Sequence, residues 1–204
     1  MKPIFRQNQL YTFLLYCNGV ELKKKVLDCG AGGSLPPLAI FAEHGYETCG
    51  IDIDKDQIIM AKDFEIEHNL NLRIKEGDMK SLPFEDGSIS FIYSYNSIFH
   101  MCKEEIGTAV KEIHRVLPKG GLAFINFAST NDGRATVGEK VRDGEYLQVE
   151  RGQKILHSFF EENEAEKYFE GFKVIYKENR IRDGYAREDM KVRMGYIDYI
   201  LEKL

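Results

Sequence analysis

The sequence predicts a doubly wound α/β fold built on a mostly parallel sheet. Three observations carry that prediction. Strand-like apolar runs alternate with helix-like segments between residues 25 and 127. Such alternation gives parallel strands joined by right-handed crossovers. The first run breaks at Val26-Leu27-Asp28-Cys29-Gly30-Ala31-Gly32-Gly33-Ser34, a buried strand entering a turn where backbone must approach a ligand closely. Twenty-four residues beyond Asp28, a second run ends in Gly50-Ile51-Asp52-Ile53-Asp54. A carboxylate at that distance after a glycine turn is the ribose-binding pattern of nucleotide folds.

The elements follow in order. Residues 4–18 open the chain as a helix, with Phe5, Leu10, Phe13, Leu14 and Cys17 near helical spacing and Asn18-Gly19 ending it. Strand one is 25–29. A helix over 35–44 stops at Gly45. Strand two is 47–51, a helix covers 55–68, and strand three is 72–75. The turn Glu85-Asp86-Gly87-Ser88 precedes strand four at 89–95. The next helix keeps Ile106, Ala109, Val110, Ile113 and Leu117 on one face, and Pro118 with Gly120-Gly121 stops it. Strand five, 122–127, is apolar except for Asn126. Residues 129–140 are polar and glycine-containing, so a mobile loop is expected. Residues 145–150 and 153–159 read as two strands about an Arg151-Gly152 turn. A charged helix over 161–170, strand six over 172–177 and a last strand over 191–203 complete the chain. One domain over 1–204 is expected, with 129–160 as an insertion on the substrate side.

Composition narrows the classes. The chain has 204 residues, 43% of them apolar, enough for one sizeable core. Its formal charge is −5, and Lys23-Lys24-Lys25 is a short solvated run and no phosphate-tracking stripe, so nucleic acid is not expected as a partner. No run approaches the roughly 18 apolar residues of a membrane span. The first residues lack the apolar core of a signal peptide. The four cysteines have no C-x-x-C spacing and read as reduced core residues of a cytoplasmic protein. The histidines lack metal-ligand spacing. Asp52, Asp54 and Asp56 imitate an EF-hand start, but Gln57 and Asp63 occupy positions where that loop needs glycine and glutamate. No metal is expected.

The turn also limits the cofactor. Phosphates bind free N–H groups at a helix N-terminus. Here the helix opens with Pro36-Pro37, which lack two of those donors, and Leu35 stands where a third dinucleotide glycine would be. No Gly-Lys-Ser/Thr follows. An adenosyl cofactor without phosphate, S-adenosylmethionine, suits this turn.

Four segments then resemble the class I S-adenosylmethionine-dependent methyltransferases of the small-molecule type. Asp28-Cys29-Gly30-Ala31-Gly32-Gly33-Ser34 is similar to D-x-G-x-G-x-G, with Ser34 replacing the last glycine. Asp52 falls on the acidic ribose position. Glu76-Gly77-Asp78-Met79 matches the adenine-contacting segment. Glu112 to Phe127, with its Pro-Lys-Gly-Gly turn, matches the helix, turn and fifth strand. Ser90 departs from an acidic residue common at the start of strand four. The resemblance implies a Rossmann-like methyltransferase fold of seven strands, the last antiparallel and inserted between strands five and six. It implies that Asp28, Gly30, Ala31 and Gly32 hold the methionine part, that Asp52 and Ile53 meet the ribose region, and that Asp78 and Met79 meet adenine. It puts Tyr95 and Asn96 among the cofactor and substrate contacts after strand four.

Methyl transfer from a sulfonium is an in-line displacement, so alignment and exclusion of water are the main demands. A base helps only when the acceptor arrives protonated. Tyr95 and His100 are the catalytic candidates, His100 reading alternatively as a structural histidine. Tyr11 and Asn126 are acceptor-side candidates, though Tyr11 can equally be packing and Asn126 can bond neighbouring backbone. His157 reads as exposed or structural. The expected partner is a small-molecule methyl acceptor; the oligomeric state stays open. A nicotinamide-dependent oxidoreductase and a non-catalytic scaffold that kept the cofactor pocket are the rivals.

Overall fold

The structure, a computed structural model, describes residues 3, 5–150, 152–187 and 190–204. Seven strands form the main sheet in the order β3-β2-β1-β4-β5-β10-β9. They are β1 (Lys25–Cys29), β2 (Glu47–Asp52), β3 (Ile74–Glu76), β4 (Phe91–Ser94), β5 (Leu122–Ser129), β9 (Phe172–Arg187) and β10 (Met190–Lys203). β1 to β5 run parallel to their neighbours. β10 is antiparallel to both β5 and β9, between which it lies. The doubly wound class and the inserted antiparallel strand are thus as expected.

Two apolar layers sandwich the sheet. On one face α1 (Asn8–Asn18) and α2 (Leu38–Glu43) pack their apolar sides on the strands, with Phe13 against Phe41, Tyr93 and Phe124 at ring distances of 6.0, 6.4 and 5.9 Å. α3 (Lys55–His68) joins this layer through Ile58, Ala61 and Phe64. On the other, α4 (Lys103–Val116) buries Ile106, Ala109, Val110 and Ile113, the apolar stripe its sequence spells out. The Asp54 side chain caps α3 by accepting from Asp56 N and Gln57 N at 2.8 and 3.3 Å.

The insertion adds β6 (Glu139–Arg142), β7 (Glu145–Glu150) and β8 (Gln153–Phe160), an antiparallel ladder. β8 then runs parallel to the last residues of β5, Ala128 facing Phe159 and Ser129 facing Phe160. β4 has ended by that point, so β8 takes the edge of β5 that β4 leaves free. The ladder therefore stands at the carboxyl end of the main sheet.

Several expectations are corrected. β6 lies where only a loop was expected, because all four of its residues are exposed and leave no alternation to read. The loop before β6 is tied down rather than free. Buried Asp132 accepts from Arg134 N, from the Arg134 guanidinium and, at 2.9 Å, from Gly195 N on β10. The 161–170 helix shrinks to a 3₁₀ turn, Glu164–Tyr168, closed by Gly171 at φ 78°. Helix 35–44 starts only at Leu38, after the two prolines. Strand three is shifted to Ile74–Glu76, and strand four is trimmed to Phe91–Ser94. Strand six continues to Arg187, since polar residues beyond Lys177 pair across the hairpin, Arg193 with Asp183 at 2.8 Å and Arg180 with Asp198 at 3.0 Å. Of the expected Arg151-Gly152 turn, Arg151 lies outside the described residues.

Phe124 sits at the centre of the first apolar layer with 1% exposure. Phe124→Ala is expected to lower the unfolding free energy by about 3–5 kcal/mol, read as a shift in the urea midpoint at constant slope.

Candidate functional site

The glycine turn links β1 to α2. Gly30 has φ 101°, and a Cβ on it would fall 2.0 Å from Ser97 Oγ. A Cβ on Gly32 would fall 2.4 Å from Gln57 Cβ and 2.7 Å from Asp52 Oδ2. Neighbouring chain thus closes around the turn and only glycine fits. Its amides are all occupied. Gly30 N and Ala31 N both donate to the Ile51 carbonyl at 2.9 Å, and Gly33 N donates to the Gln57 carbonyl at 2.9 Å. Gly32 N donates to Asp52 Oδ2 at 2.8 Å. The turn therefore offers a ligand close approach but no free N–H, and a diphosphate would find no donors there.

Asp52, at the end of β2, is held by two backbone donors, Gly32 N on Oδ2 and Asp54 N on Oδ1 at 2.9 Å. A carboxylate accepts about four hydrogen bonds, so its remaining lone pairs can take a ligand diol. Asp28 is different. It is 1% exposed and neither carboxyl oxygen has a hydrogen-bond partner. Burial pushes it up to about 8; the Tyr93 hydroxyl opposes the rise and the Asp52 charge adds to it. Tyr93 faces Asp28 without a well-formed hydrogen bond, its hydroxyl being unpartnered too. Such an orphaned buried acid suits a ligand cation.

A cavity of about 400 Å³ opens beside the turn. Gly30, Asp52, Ile53, Asp78, Met79 and His100 line it, so six of the residues expected from the sequence meet there. Asp78 accepts from Lys80 N at 2.8 Å, and Lys80 Nζ bonds Glu105 at 2.6 Å. Among the described residues no group of metal-ligating side chains forms.

Residues 27–125 match the methyltransferase domain family. The match covers just under half of the chain, whose family and fold likeness is to the class I S-adenosylmethionine-dependent methyltransferases. It is 35% identical over 121 residues to the uncharacterized methyltransferase YcgJ of Bacillus subtilis, covering 59% of this chain and 47% of that one. It is 29% identical over 112 residues to the sterol 24-C-methyltransferase erg6 of Schizosaccharomyces pombe, covering 54% and 29%. In fold it is similar to a S-adenosylmethionine-dependent methyltransferase from Methanosarcina mazei, with a TM-score of 0.74, 23% identity and 93% and 97% coverage. The chain spans less than half the length of these curated relatives.

Around this cavity the remaining candidates divide. Asp28, Ala31 and Gly32 stand behind the cavity wall rather than on it. Asn126, fully buried, accepts from Asn96 N at 2.7 Å and donates Nδ2 to Asn96 Oδ1 at 2.8 Å. Its amide holds Asn96 at φ 56°, the backbone-bonding alternative expected for it. Tyr95 is half-buried near Phe124, at 6.2 Å between rings. Burial raises its hydroxyl above the usual tyrosine range, with the Arg180 guanidinium opposing. Tyr11 is 41% exposed on α1 and does not line the cavity. Of the two readings expected for His157, exposed or structural, it takes the second: it is fully buried, flanked by Phe99 and Phe159.

Sequence reading missed Ser97, Met101 and Glu105 on the cavity wall. The Gly30-to-Ser97 contact is the one signal for Ser97, and it exists only after folding. His100 ends the 3₁₀ turn Ile98–His100. Burial, with the neighbouring His157 second, pushes it down to about 4, so it is neutral at pH 7.

Two measurements test this geometry. Asp52→Ala removes the acceptor of two backbone amides, and is expected to lower the unfolding free energy by about 1–3 kcal/mol; an unchanged urea midpoint would show that the turn does not need the carboxylate. Because the folded pKa of His100 lies below that of the free side chain, roughly 6.5, its stabilisation is full above pH 6.5 and is lost as pH falls through about 4. The urea midpoint should drop between pH 6.5 and 4, and His100→Phe should flatten that drop.

Proposed function

We propose that this protein transfers the methyl group of S-adenosylmethionine to a small-molecule acceptor. The observation that carries the reading is the combination of four engaged turn amides, the Asp52 carboxylate and the orphaned Asp28. Together they suit a ligand with a sugar diol and an amino cation but no phosphate. The same occupied amides disfavour a nicotinamide dinucleotide, whose diphosphate would go unbonded.

In this reading Asp52 accepts the ribose hydroxyls through lone pairs its backbone donors leave free. Asp28 faces the amino group of the methionine part, beside Gly30, Ala31 and Gly32. Asp78 takes the adenine amino group, with Met79 and Ile53 against the rings. Tyr95 and Asn96 border the cofactor on the side of β4. Bound S-adenosylmethionine supplies an electrophilic methyl carbon. The chain's residues bind, orient and exclude water from the two reactants. The loops after β4 and β5, with the 129–160 insertion, form the acceptor pocket. The match covers only 29% of the Schizosaccharomyces pombe sterol methyltransferase, so its acceptor is not assigned to this chain.

Other parts of the proposal rest on physical properties. The net charge of −5 disfavours nucleic acid as a partner. Cys17, Cys29, Cys49 and Cys102 are all free thiols, as in a reducing cytoplasm. No helix among the described residues is long and apolar enough to cross a membrane.

Calorimetry with S-adenosylmethionine and with NAD tests the cofactor. Binding of the first and silence of the second are expected; the reverse would discard the reading. Asp52→Ala should weaken S-adenosylmethionine by roughly tenfold to a hundredfold. Release of S-adenosylhomocysteine against a metabolite library then tests turnover. Binding also carries a pH signature. With Asp28 at about 8, its carboxyl is mostly protonated at pH 7. Pairing with an amino cation drives that proton off, so affinity should rise with pH up to about 8. Calorimetry in buffers of different ionisation enthalpy should read nearly one proton released at pH 7. Equal release from Asp28→Asn would exclude Asp28 from this role.

A further inference from the structure

Among the described residues, 77–90 carry no helix or strand between β3 and β4. A parallel crossover is usually a helix. This loop bears Asp78 and Met79, so its position matters to the cavity. Three side chains of α4 hold it: Glu105, Glu112 and Arg115.

Arg115 is the centre of that hold. Its guanidinium makes five hydrogen bonds, one for each of its N–H groups. Nε and Nη2 each bond Glu112 at 2.8 Å, the fork of an arginine–carboxylate pair. Nη2 also donates to the Leu82 carbonyl at 3.0 Å. Nη1 donates to the Phe84 carbonyl at 2.9 Å and to Asp86 Oδ1 at 2.7 Å. Glu112 Oε2 accepts from Leu82 N at 2.9 Å. The pair therefore takes both backbone groups of Leu82, as a neighbouring strand would. Leu82 is 4% exposed and packs in the apolar layer with α4, where an unpaired backbone group is costly. Closer to the cavity, Lys80 Nζ bonds Glu105 Oε1 at 2.6 Å, and both residues line the wall.

Asp78 and Met79 stand between two fixed points. Upstream, Gly77 N donates to the Asp52 carbonyl at 2.9 Å. Downstream lie the bonds to α4. In between, Asp78 Oδ1 accepts from Lys80 N at 2.8 Å, and the Asp78 carbonyl accepts from Ser81 N at 3.0 Å. Met79 packs against the same apolar cluster as Leu82. The loop backbone thus sets the depth of the Asp78 carboxyl, and Arg115 with Glu112 sets the loop backbone.

We propose that Arg115, braced by Glu112, is a positioning residue for purine recognition: it fixes the loop so that Asp78 selects an amino group at the purine 6-position. The proposal rests on the adenine assignment made under the function above. Arg115 and Glu112 stand outside the residues that line the cavity, so they act through the loop. A 6-oxopurine would turn a carbonyl oxygen toward an Asp78 placed to accept an N–H, and leave it unpaired. That selection needs a carboxyl at a fixed depth, because a loop free to shift would adjust to either base. Glu112 and Arg115 lie three apart on one face of α4, in a segment whose side chains the cofactor reading otherwise leaves unused.

The test compares S-adenosylhomocysteine with S-inosylhomocysteine, amino against oxo at that position, by calorimetry on the full chain. Wild type is expected to prefer the amino form by roughly tenfold to a hundredfold. Arg115→Ala is expected to bring that preference within about threefold of unity, chiefly by weakening the amino form. Asp52→Ala is the comparison: it weakens both forms alike and keeps the preference, as a general disturbance of the site would. Should Arg115→Ala not fold, Arg115→Lys and Glu112→Gln carry the test. Lysine offers its donors from one nitrogen and cannot bridge Glu112, Leu82 and Phe84 together, so the preference should fall there too. An intact preference in a folded Arg115 variant overturns the proposal, and so does a wild type that binds both forms equally. A wild type that binds neither counts against the cofactor reading instead. Hydrogen exchange in the apo proteins then decides the positioning. The amides of Lys80, Ser81, Leu82 and Phe84 should exchange on the order of tenfold faster in Arg115→Lys than in wild type, and equal rates overturn it.

Discussion

The site turns on one carboxylate. Asp52 accepts from Gly32 N and Asp54 N, and so ties the glycine turn after β1 to the start of α3 after β2. Both glycines that matter are packed to contact, Gly32 against Gln57 and Asp52, Gly30 against Ser97. The loops after β1 and β2 thereby meet at one side chain, and the loop after β4 closes on Gly30. A carboxylate spent entirely on structure would leave nothing for a ligand, but two bonds use only half of its acceptor capacity. The same group can shape the turn and still bind.

Occupied amides give this turn its chemical character. A glycine-rich loop that leaves its N–H groups free is an anion cradle. Here Ile51, Gln57 and Asp52 take every amide from Gly30 to Gly33. What remains is close approach, together with a buried acid that has no partner. An adenosyl sulfonium with an amino group matches those terms, and a dinucleotide does not.

The insertion shows how a small fold adds a ladder at the carboxyl end of its sheet. β4 ends at Ser94, which frees one edge of β5, and β8 pairs there through Ala128 and Ser129. Asn126 and Asn96 bond at this junction and hold the chain after β4 in a left-handed kink. Asp132 anchors the other end of the insertion to β10. Phe99, Ala128, Ala135 and Phe159 give the junction its own small apolar cluster. The result brings His157 against His100, 57 residues away in sequence, with Glu150 on the far side of His157.

Much of this was legible in the chain. Alternating apolar runs marked the parallel strands, and the stripe on α4 marked its buried face, because burial on a regular element imposes a period. Asp28, the glycines and Asp52 were legible because a strand end, a tight turn and a carboxylate each need particular residue types. Asp78 and Met79 came from the family resemblance of their segment, and both line the cavity. Other features leave no period or spacing. β6 exposes all its residues, and the outer part of β9 is held by cross-strand ion pairs whose partners lie on another strand. Asn126 could be placed near the site, but its partner could not. Sequence alone therefore determined the class of the fold and the chemistry of the first crossover, both set by local residue type and repeat. Tertiary structure decided how the turn amides are occupied, that Asn126 bonds Asn96, and that two histidines 57 residues apart share one buried contact, since each of these depends on what long-range packing brings alongside.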